Sequence, residues 1–314
     1  MKLLKIALIG TSKDYPNSLV PLIIKNLGYE IQWVDSKKAE LIIVGPFGNE
    51  KHSSWLPKPI RPLVKELKES FIHVSQGSQN TLKLFQTGES IRPDMTQVNF
   101  ALSFDINSNP HHLRLPYWME FIDWSSQGIY GNQNPRFGQL LSMEKLLQPL
   151  GNEFLKRPQR AAIISSHLFE PRKTLFDGLS RFVEVEGFGP YFNSKIKNHN
   201  QSRFIKKQIL QNFAFNLCPE NSLYPGYYTE KIPEAFLSGC LPIGYTDENV
   251  KIDFNPKAFI NLGPMIWNDF IQLAEYFNNK KMLEAFADEP LLLKSPSILI
   301  LREFISEIIL QATT

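Results

Sequence analysis

The chain has 314 residues, 43% of them hydrophobic, which is enough to bury substantial cores and fits two domains of about 150 residues each. That excludes a disordered or collagen-like chain. Against 31 acidic residues stand 34 basic ones, a formal charge of +3, so an anionic ligand must be held by local basic groups. Net charge gives no support to a nucleic-acid or membrane partner. The two cysteines, Cys218 and Cys240, have neither zinc-ligand nor C-x-x-C spacing and read as buried thiols in a reducing compartment. Lys2 and Lys5 precede an apolar run at residues 6–9 that is too short for a signal-peptide core and ends at Gly10. No segment reaches the roughly 18 apolar residues needed to span a bilayer. The expectation is a cytoplasmic protein, at most peripheral at the inner membrane.

Taken in chain order, short β-rich apolar runs at residues 5–9, 31–34, 41–44, 71–75 and 101–104 alternate with helical stretches, which points to a parallel sheet flanked by helices. A second series follows at residues 161–164, 183–187, 213–217, 241–245 and 259–262. Two α/β units are the simplest reading. The polar stretch 151–160, carrying Pro158, is expected to link them, with one domain at residues 1–155 and the other at 156–314. Residues 297–310 place apolar side chains at 298, 301, 305 and 308, a helical spacing that predicts a docking helix able to pack back on the first domain.

The densest chemistry lies between Glu220 and Lys231. It begins where the strand at 213–217 ends, passes through the Pro225-Gly226 turn, and leads to Thr229 as expected N-cap of a helix at 230–237 that Gly239 terminates. A strand, a loop and a helix N-terminus in that order set free backbone N–H groups at the carboxyl edge of a sheet, where phosphates bind. Lys231 in the first helical turn opposes the helix dipole, a penalty that a bound diphosphate would reverse; a solvated lysine beside a capping loop is the alternative.

The segment from Phe215-Asn216-Leu217 through Glu220-Asn221-Ser222 and Gly226-Tyr227-Tyr228-Thr229-Glu230-Lys231 to Pro242-Ile243 resembles the donor-site signature of glycosyltransferase family 10, the alpha-1,3-fucosyltransferases, above all their bacterial members. Gly88-Glu89-Ser90, Leu113-Arg114-Leu115-Pro116, Pro171-Arg172 and Asp253-Phe254-Asn255-Pro256-Lys257 extend the resemblance over roughly residues 85–262. It implies a GT-B architecture of two Rossmann-like α/β domains facing across a cleft, an N-terminal acceptor domain and a C-terminal GDP-fucose domain. The implied reaction is transfer of L-fucose, with inversion, to a GlcNAc or Glc hydroxyl of an N-acetyllactosamine-type or other glycan, with an alpha-1,3 linkage expected.

The same resemblance assigns roles. Glu89 is the implied general base, in a setting where Gly88 permits a sharp turn and close approach. Arg172 and Lys231 would neutralise the diphosphate, the guanidinium by bidentate contact and the ammonium as a point charge. Glu230 would face the fucose and support positive charge on its ring. Tyr227, Asn221, Glu220, Ser222 and Thr229 would line the donor loop, although a strand-end carboxylate such as Glu220 also commonly satisfies loop N–H groups. In the aromatic stretch 108–134, Arg114, Tyr117, Trp118 and Trp124 are the acceptor-wall candidates, with core packing the competing role for at least half of the aromatics.

Other patterns carry less. The run from 194 to 211, with Lys195, Lys197, Arg203, Lys206 and Lys207 and no acid, reads as a solvated helix face, with proximity to a diphosphate the alternative. His111-His112 cannot both face one ion on a regular element, and no D-x-D motif occurs, so no metal is assigned and a divalent ion is expected to be at most stimulatory. After Pro242-Ile243 the chain reads Gly244-Tyr245-Thr246-Asp247-Glu248, two acids where the family has an aromatic, glycine and small residues. A dinucleotide oxidoreductase fails because Gly10-Thr11-Ser12-Lys13 lacks the glycine-rich turn. The remaining rivals are a same-fold transferase of another GDP-sugar and a non-catalytic glycan or nucleotide-binding module. A transfer assay separates them.

Overall fold

The computed structural model describes residues 1–47, 81–130, 140–192, 202–263, 273, 275–277 and 279–314. Two compact units are present, the first made of Met1–Tyr117, Ser125–Asn132 and Ser297–Thr314, the second of Trp118–Trp124 and Gln133–Pro296. The strand expected at 71–75, the end of the aromatic stretch at Asn134, and Lys195 and Lys197 lie outside the described residues.

Among the described residues the first unit holds a six-stranded sheet in the order β2-β1-β3-β4-β5-β6, all pairs parallel. Its strands are β1 Lys2–Ile9, β2 Tyr29–Trp33, β3 Leu41–Val44, β4 Leu82–Gln86, β5 Phe100–Ser103 and β6 His112–Arg114. β3 and β5 are buried along their whole length, as strands covered on both faces must be, which is why they read as unbroken apolar runs. Helix Leu19–Asn26 packs on this sheet through Leu19, Val20, Ile23 and Ile24. The expected C-terminal helix is Leu299–Thr313, with Leu301, Ile305, Ile308 and Ile309 buried. Gln127 Oε1 accepts from the Ile298 N–H at 2.9 Å at its start, and Phe304 meets Phe100 edge-on at 5.8 Å. No helix of the described residues is long and apolar enough to cross a membrane.

The second unit is built on a five-stranded parallel sheet, order β11-β10-β9-β7-β8, from β7 Ala161–Ile164, β8 Val185–Phe188, β9 Phe215–Pro219, β10 Leu241–Tyr245 and β11 Ile260–Asn261. Phe215, Leu217, Ile163, Leu241 and Ile243 face a core closed by Leu175, Leu179 and Leu283. The opposite face buries Ala162, Leu210, Phe213 and Cys240. Both cysteines are free and buried, as expected; burial pushes the Cys240 thiol up to about 12. Strand order reverses direction between β7 and β9. The carboxyl ends of those two strands therefore flank a topological switch point, the crevice where open parallel sheets bind ligands.

Residues 151–160 are not a linker between units. They lie inside the second unit, where Phe154 is fully buried on helix Glu153–Lys156. Arg157 clamps two chain reversals, donating from Nη1 to the Leu210 and Phe213 carbonyls at 3.3 and 3.2 Å and from Nη2 to that of Ser238 at 3.0 Å. Helix Lys231–Leu237 ends as the sequence predicts: Gly239 adopts φ +72°, its N–H bonds the Phe236 carbonyl at 2.9 Å, and the Cys240 N–H bonds that of Ala235 at 3.1 Å. A Cβ on Gly239 would lie 2.6 Å from Arg157 Nη2. Gly239→Ala is therefore expected to lower unfolding free energy by about 2 kcal/mol, from left-handed strain plus the displaced clamp, read as a shift in urea midpoint. An unchanged midpoint would refute the cap.

Candidate functional site

The second unit sets two cations, Arg172 and Lys231, at the switch point. Arg172 opens helix Arg172–Leu179 after β7, and the residue is buried, 6% exposed. Nη1 lies 3.0 Å from both Ser165 Oγ and His167 Nε2, while Nη2 donates to Asn221 Oδ1 in the loop after β9. The guanidinium thus ties the ends of β7 and β9 together. Ser165 and His167 are partners that the sequence reading missed; their only signal was their place directly after an apolar strand.

The loop after β9 is organised around Glu220, 1% exposed. Its carboxylate accepts from the Thr229 N–H at 2.8 Å, the Thr229 hydroxyl at 2.8 and 2.9 Å, and Lys231 Nζ at 2.7 Å. Lys231 Nζ also reaches Thr229 Oγ1 at 2.6 Å. Thr229 is consequently not the helix N-cap. The helix begins at Lys231, Glu230 occupies the cap position without a side-chain cap bond, and the Thr229 hydroxyl is drawn to the buried carboxylate instead. Glu220 and Thr229 hold Lys231 in place rather than pointing outward as ligand contacts. Burial works to lower the Lys231 pKa, but the Glu220 and Glu230 carboxylates outweigh it, and the net shift is upward despite opposition from Arg172. A cation at a helix N-terminus is thereby kept charged, and it sits close enough to Arg172 to feel its repulsion. Two like charges held together favour an anion.

Of the other loop residues, Asn221 is exposed, Glu230 half-buried and Tyr227 2% exposed. Ser222 Oγ is buried without a hydrogen-bond partner. Of the two acids that depart from the family pattern, Asp247 has structural work. Asp247 accepts from the Tyr228 hydroxyl and, at 3.2 Å, from the Asn249 N–H, whereas Glu248 is exposed. Burial, then Asp247, raises the Tyr228 pKa, so this phenol stays a donor.

In the first unit, Glu89 follows β4 at the carboxyl edge of its own sheet and is half-buried. Its N–H donates to Thr87 Oγ1 at 2.9 Å and its carbonyl accepts from that hydroxyl at 3.0 Å. What comes close to Gly88 in this structure is Tyr117, for a Cβ at Gly88 would lie 2.3 Å from its ring. Arg92 forms a two-oxygen ion pair with buried Asp105 at 3.1 Å. Arg114 donates from Nε to the Phe104 carbonyl at 3.1 Å. Two acceptor candidates are corrected. Trp118 is 2% exposed and packs on Phe254 at 5.2 Å, and Trp124 is 0% exposed with Nε1 donating to the Met119 carbonyl. Both belong to the packed interior of the second unit, because indole area is more stable buried than presented to water.

His112 is buried and bonded to Ser103 Oγ at 2.7 Å, burial lowering its pKa against the pull of Asp105, while His111 is exposed. Among the described residues no group of three or more His, Cys, Asp or Glu is placed to hold a metal ion. Within the expected basic run, Lys206 is half-buried and pairs with Glu234 at 3.3 Å, the two side chains 27% and 10% exposed.

Residues 155–285 match the family model described as glycosyltransferase family 10 (fucosyltransferase) C-term. An alpha-(1,3)-fucosyltransferase of Helicobacter pylori is 28% identical over 204 residues, 59% of this chain and 41% of that protein. The human 4-galactosyl-N-acetylglucosaminide 3-alpha-L-fucosyltransferase 9 is 30% identical over 122 residues, 37% of this chain and 32% of that protein. The chain thus spans only about two fifths and one third of the length of these two relatives. Among solved structures, an alpha1,3-fucosyltransferase with GDP-fucose superposes with TM-score 0.69 at 21% identity, covering 98% of this chain and 91% of the other. The same enzyme class without that ligand gives 0.68 at 22%, covering 98% and 90%. These likenesses establish the fold, two parallel-sheet α/β units of the GT-B class. Residues 155–285, within the second unit, are thus similar to the C-terminal part of the family 10 fucosyltransferases.

Proposed function

We propose that this protein transfers L-fucose from GDP-fucose to a hydroxyl of a GlcNAc- or Glc-containing glycan, in alpha-1,3 linkage and with inversion at the anomeric carbon. The observation that carries the reading is the Arg172 and Lys231 pair, assembled at the switch point by Asn221 and Glu220 inside the stretch similar to family 10. Two fixed cations at a helix N-terminus suit a diphosphate both as ligand and as leaving group. In the proposed reaction the Glu89 carboxylate takes the acceptor proton as the hydroxyl oxygen bonds to C1 of fucose. The bond from C1 to the phosphate oxygen breaks, and GDP departs with the electron pair, its charge met by Arg172 and Lys231. Glu230 supports positive charge on the ring. Of the acceptor candidates Arg114 and Tyr117 remain; Trp118 and Trp124 are withdrawn.

The test is incubation with radiolabelled GDP-fucose and N-acetyllactosamine, with and without EDTA. Labelled glycan and GDP released in equal amounts are the expected result. Because the Arg172 and Lys231 charges replace an ion clamp in this scheme, activity is expected to survive EDTA. Loss restored only by manganese or magnesium would overturn the metal-free scheme, and absence of any label in glycan would overturn the transferase reading.

A further inference from the structure

The acid-free basic run of the sequence has no part in the transfer scheme, yet two of its lysines, Lys206 and Lys207 on helix Ser202–Leu210, line a second cavity of the second unit. Lys145, on helix Met143–Leu146, lines it from a separate element, and Leu140, Leu141 and Leu237 give it apolar wall. Leu237 and Ser238 close helix Lys231–Leu237 just before β10, so the cavity reaches toward the amino ends of the strands, away from the donor loop at their carboxyl ends. Lys206, Leu210 and Glu234 are the wall it shares with the switch-point crevice.

Ligand sites join apolar walls to a few convergent polar groups, and the charged groups here are mostly of one sign. Three lysines stand against one carboxylate in the lining, that of Glu234, which Lys206 already holds at 3.3 Å. Neither Lys145 nor Lys207, both exposed, has an ion-pair partner among the described residues. Ser142 Oγ, also in the wall, accepts from the Lys145 N–H at 3.3 Å and keeps its own hydroxyl hydrogen to donate. Two uncompensated cations match the charge of about −2 on a phosphate monoester at neutral pH. A bare phosphate would leave the leucines without a partner, whereas an ester places carbon against them. The volume of about 90 Å³, about three times a water's share, admits the oxyanion and the start of a chain. We propose that this cavity is a second anion site, separate from the donor crevice, for an alkyl phosphate monoester, either free or at the head of a lipid. Lys145, Lys207 and the Ser142 hydroxyl hold the oxyanion, and its first carbons lie against Leu140, Leu141 and Leu237.

Butyl phosphate is the probe. Titrated into the intact chain in a calorimeter, with GDP present to occupy the donor crevice, it is expected to bind about tenfold tighter than inorganic phosphate, the gain from burying about two methylenes. Acetylation with acetic anhydride, read by mass spectrometry, locates the site. Butyl phosphate should slow modification of Lys145 and Lys207 and leave exposed Lys251 unchanged. The double variant Lys145→Gln with Lys207→Gln should fold as the parent does, since both side chains are exposed, and lose about tenfold or more in affinity. Equal affinity for butyl and inorganic phosphate overturns the proposal, as does unslowed modification of the two lysines or undiminished binding by the double variant. Cosedimentation with phosphatidic acid vesicles that the double variant loses would identify a lipid as the source of the ester, and butyl phosphate binding without cosedimentation a soluble one. The acetylation pattern reads Lys145 and Lys207 directly, so failure of GDP to bind undoes the donor-site reading and leaves this test standing.

Discussion

Glu89→Gln is expected to lower kcat by about 10² to 10⁴ while GDP affinity stays where it was. The carboxamide keeps the shape and much of the hydrogen-bonding capacity of the side chain but cannot take a proton from an attacking hydroxyl. The backbone at this position is held by Thr87 through two bonds that do not involve the carboxylate. The variant should therefore fold as the parent does, which makes kinetics rather than unfolding the readout. Glu230→Gln should differ. A residue beside the donor sugar affects donor hydrolysis in the absence of acceptor as well as transfer, whereas loss of the acceptor's base affects transfer far more. Steady-state transfer and acceptor-free hydrolysis measured on both variants separate the two roles. If Glu89→Gln keeps more than about a tenth of kcat, the loss is too small for removal of a base, and another carboxylate carries the proton.

Strands buried on both faces were legible because burial leaves no room for polar residues. Leu41–Val44, Ala161–Ile164 and Leu241–Tyr245 are found with the bounds read from the sequence. β4 was hidden by Lys83 and Gln86, and β6 is three residues long with polar residues at both ends, so neither offers a run. Composition misled at 151–160, where a polar stretch conceals Phe154, a core residue, and Arg157, whose charge is spent on buried carbonyls. The aromatic stretch misled in the same way, since stacking on a sugar and packing in a core ask for the same side chains. At the candidate site the spacing of Glu220, Thr229 and Lys231 located the loop, but spacing does not say which groups pair with one another. Glu220 proved to be the anchor of the loop.

Lys231→Ala and Arg172→Ala should both weaken GDP binding, each by the roughly 1.5 to 3 kcal/mol of a charge-assisted phosphate contact. Their effects on the fold should not match. Removing Lys231 strips Glu220 of its cation at 1% exposure and leaves the carboxylate only the neutral donors of Thr229. Breaking a buried pair from one side costs about 3 kcal/mol, because the remaining charge stays desolvated. Arg172 leaves behind Ser165, His167 and Asn221, none a carboxylate, so its removal should cost distinctly less. The double variant Glu220→Gln with Lys231→Met takes away both charges and keeps volume and an amide acceptor for Thr229. It is expected to recover most of the stability lost by Lys231→Ala and none of the GDP affinity. Calorimetry with GDP and urea unfolding on the same four proteins give the two quantities independently. Recovery of GDP affinity in the double variant would mean that Lys231 acts only through loop stability. Unchanged affinity in both single variants would place the diphosphate away from the β7 and β9 ends altogether.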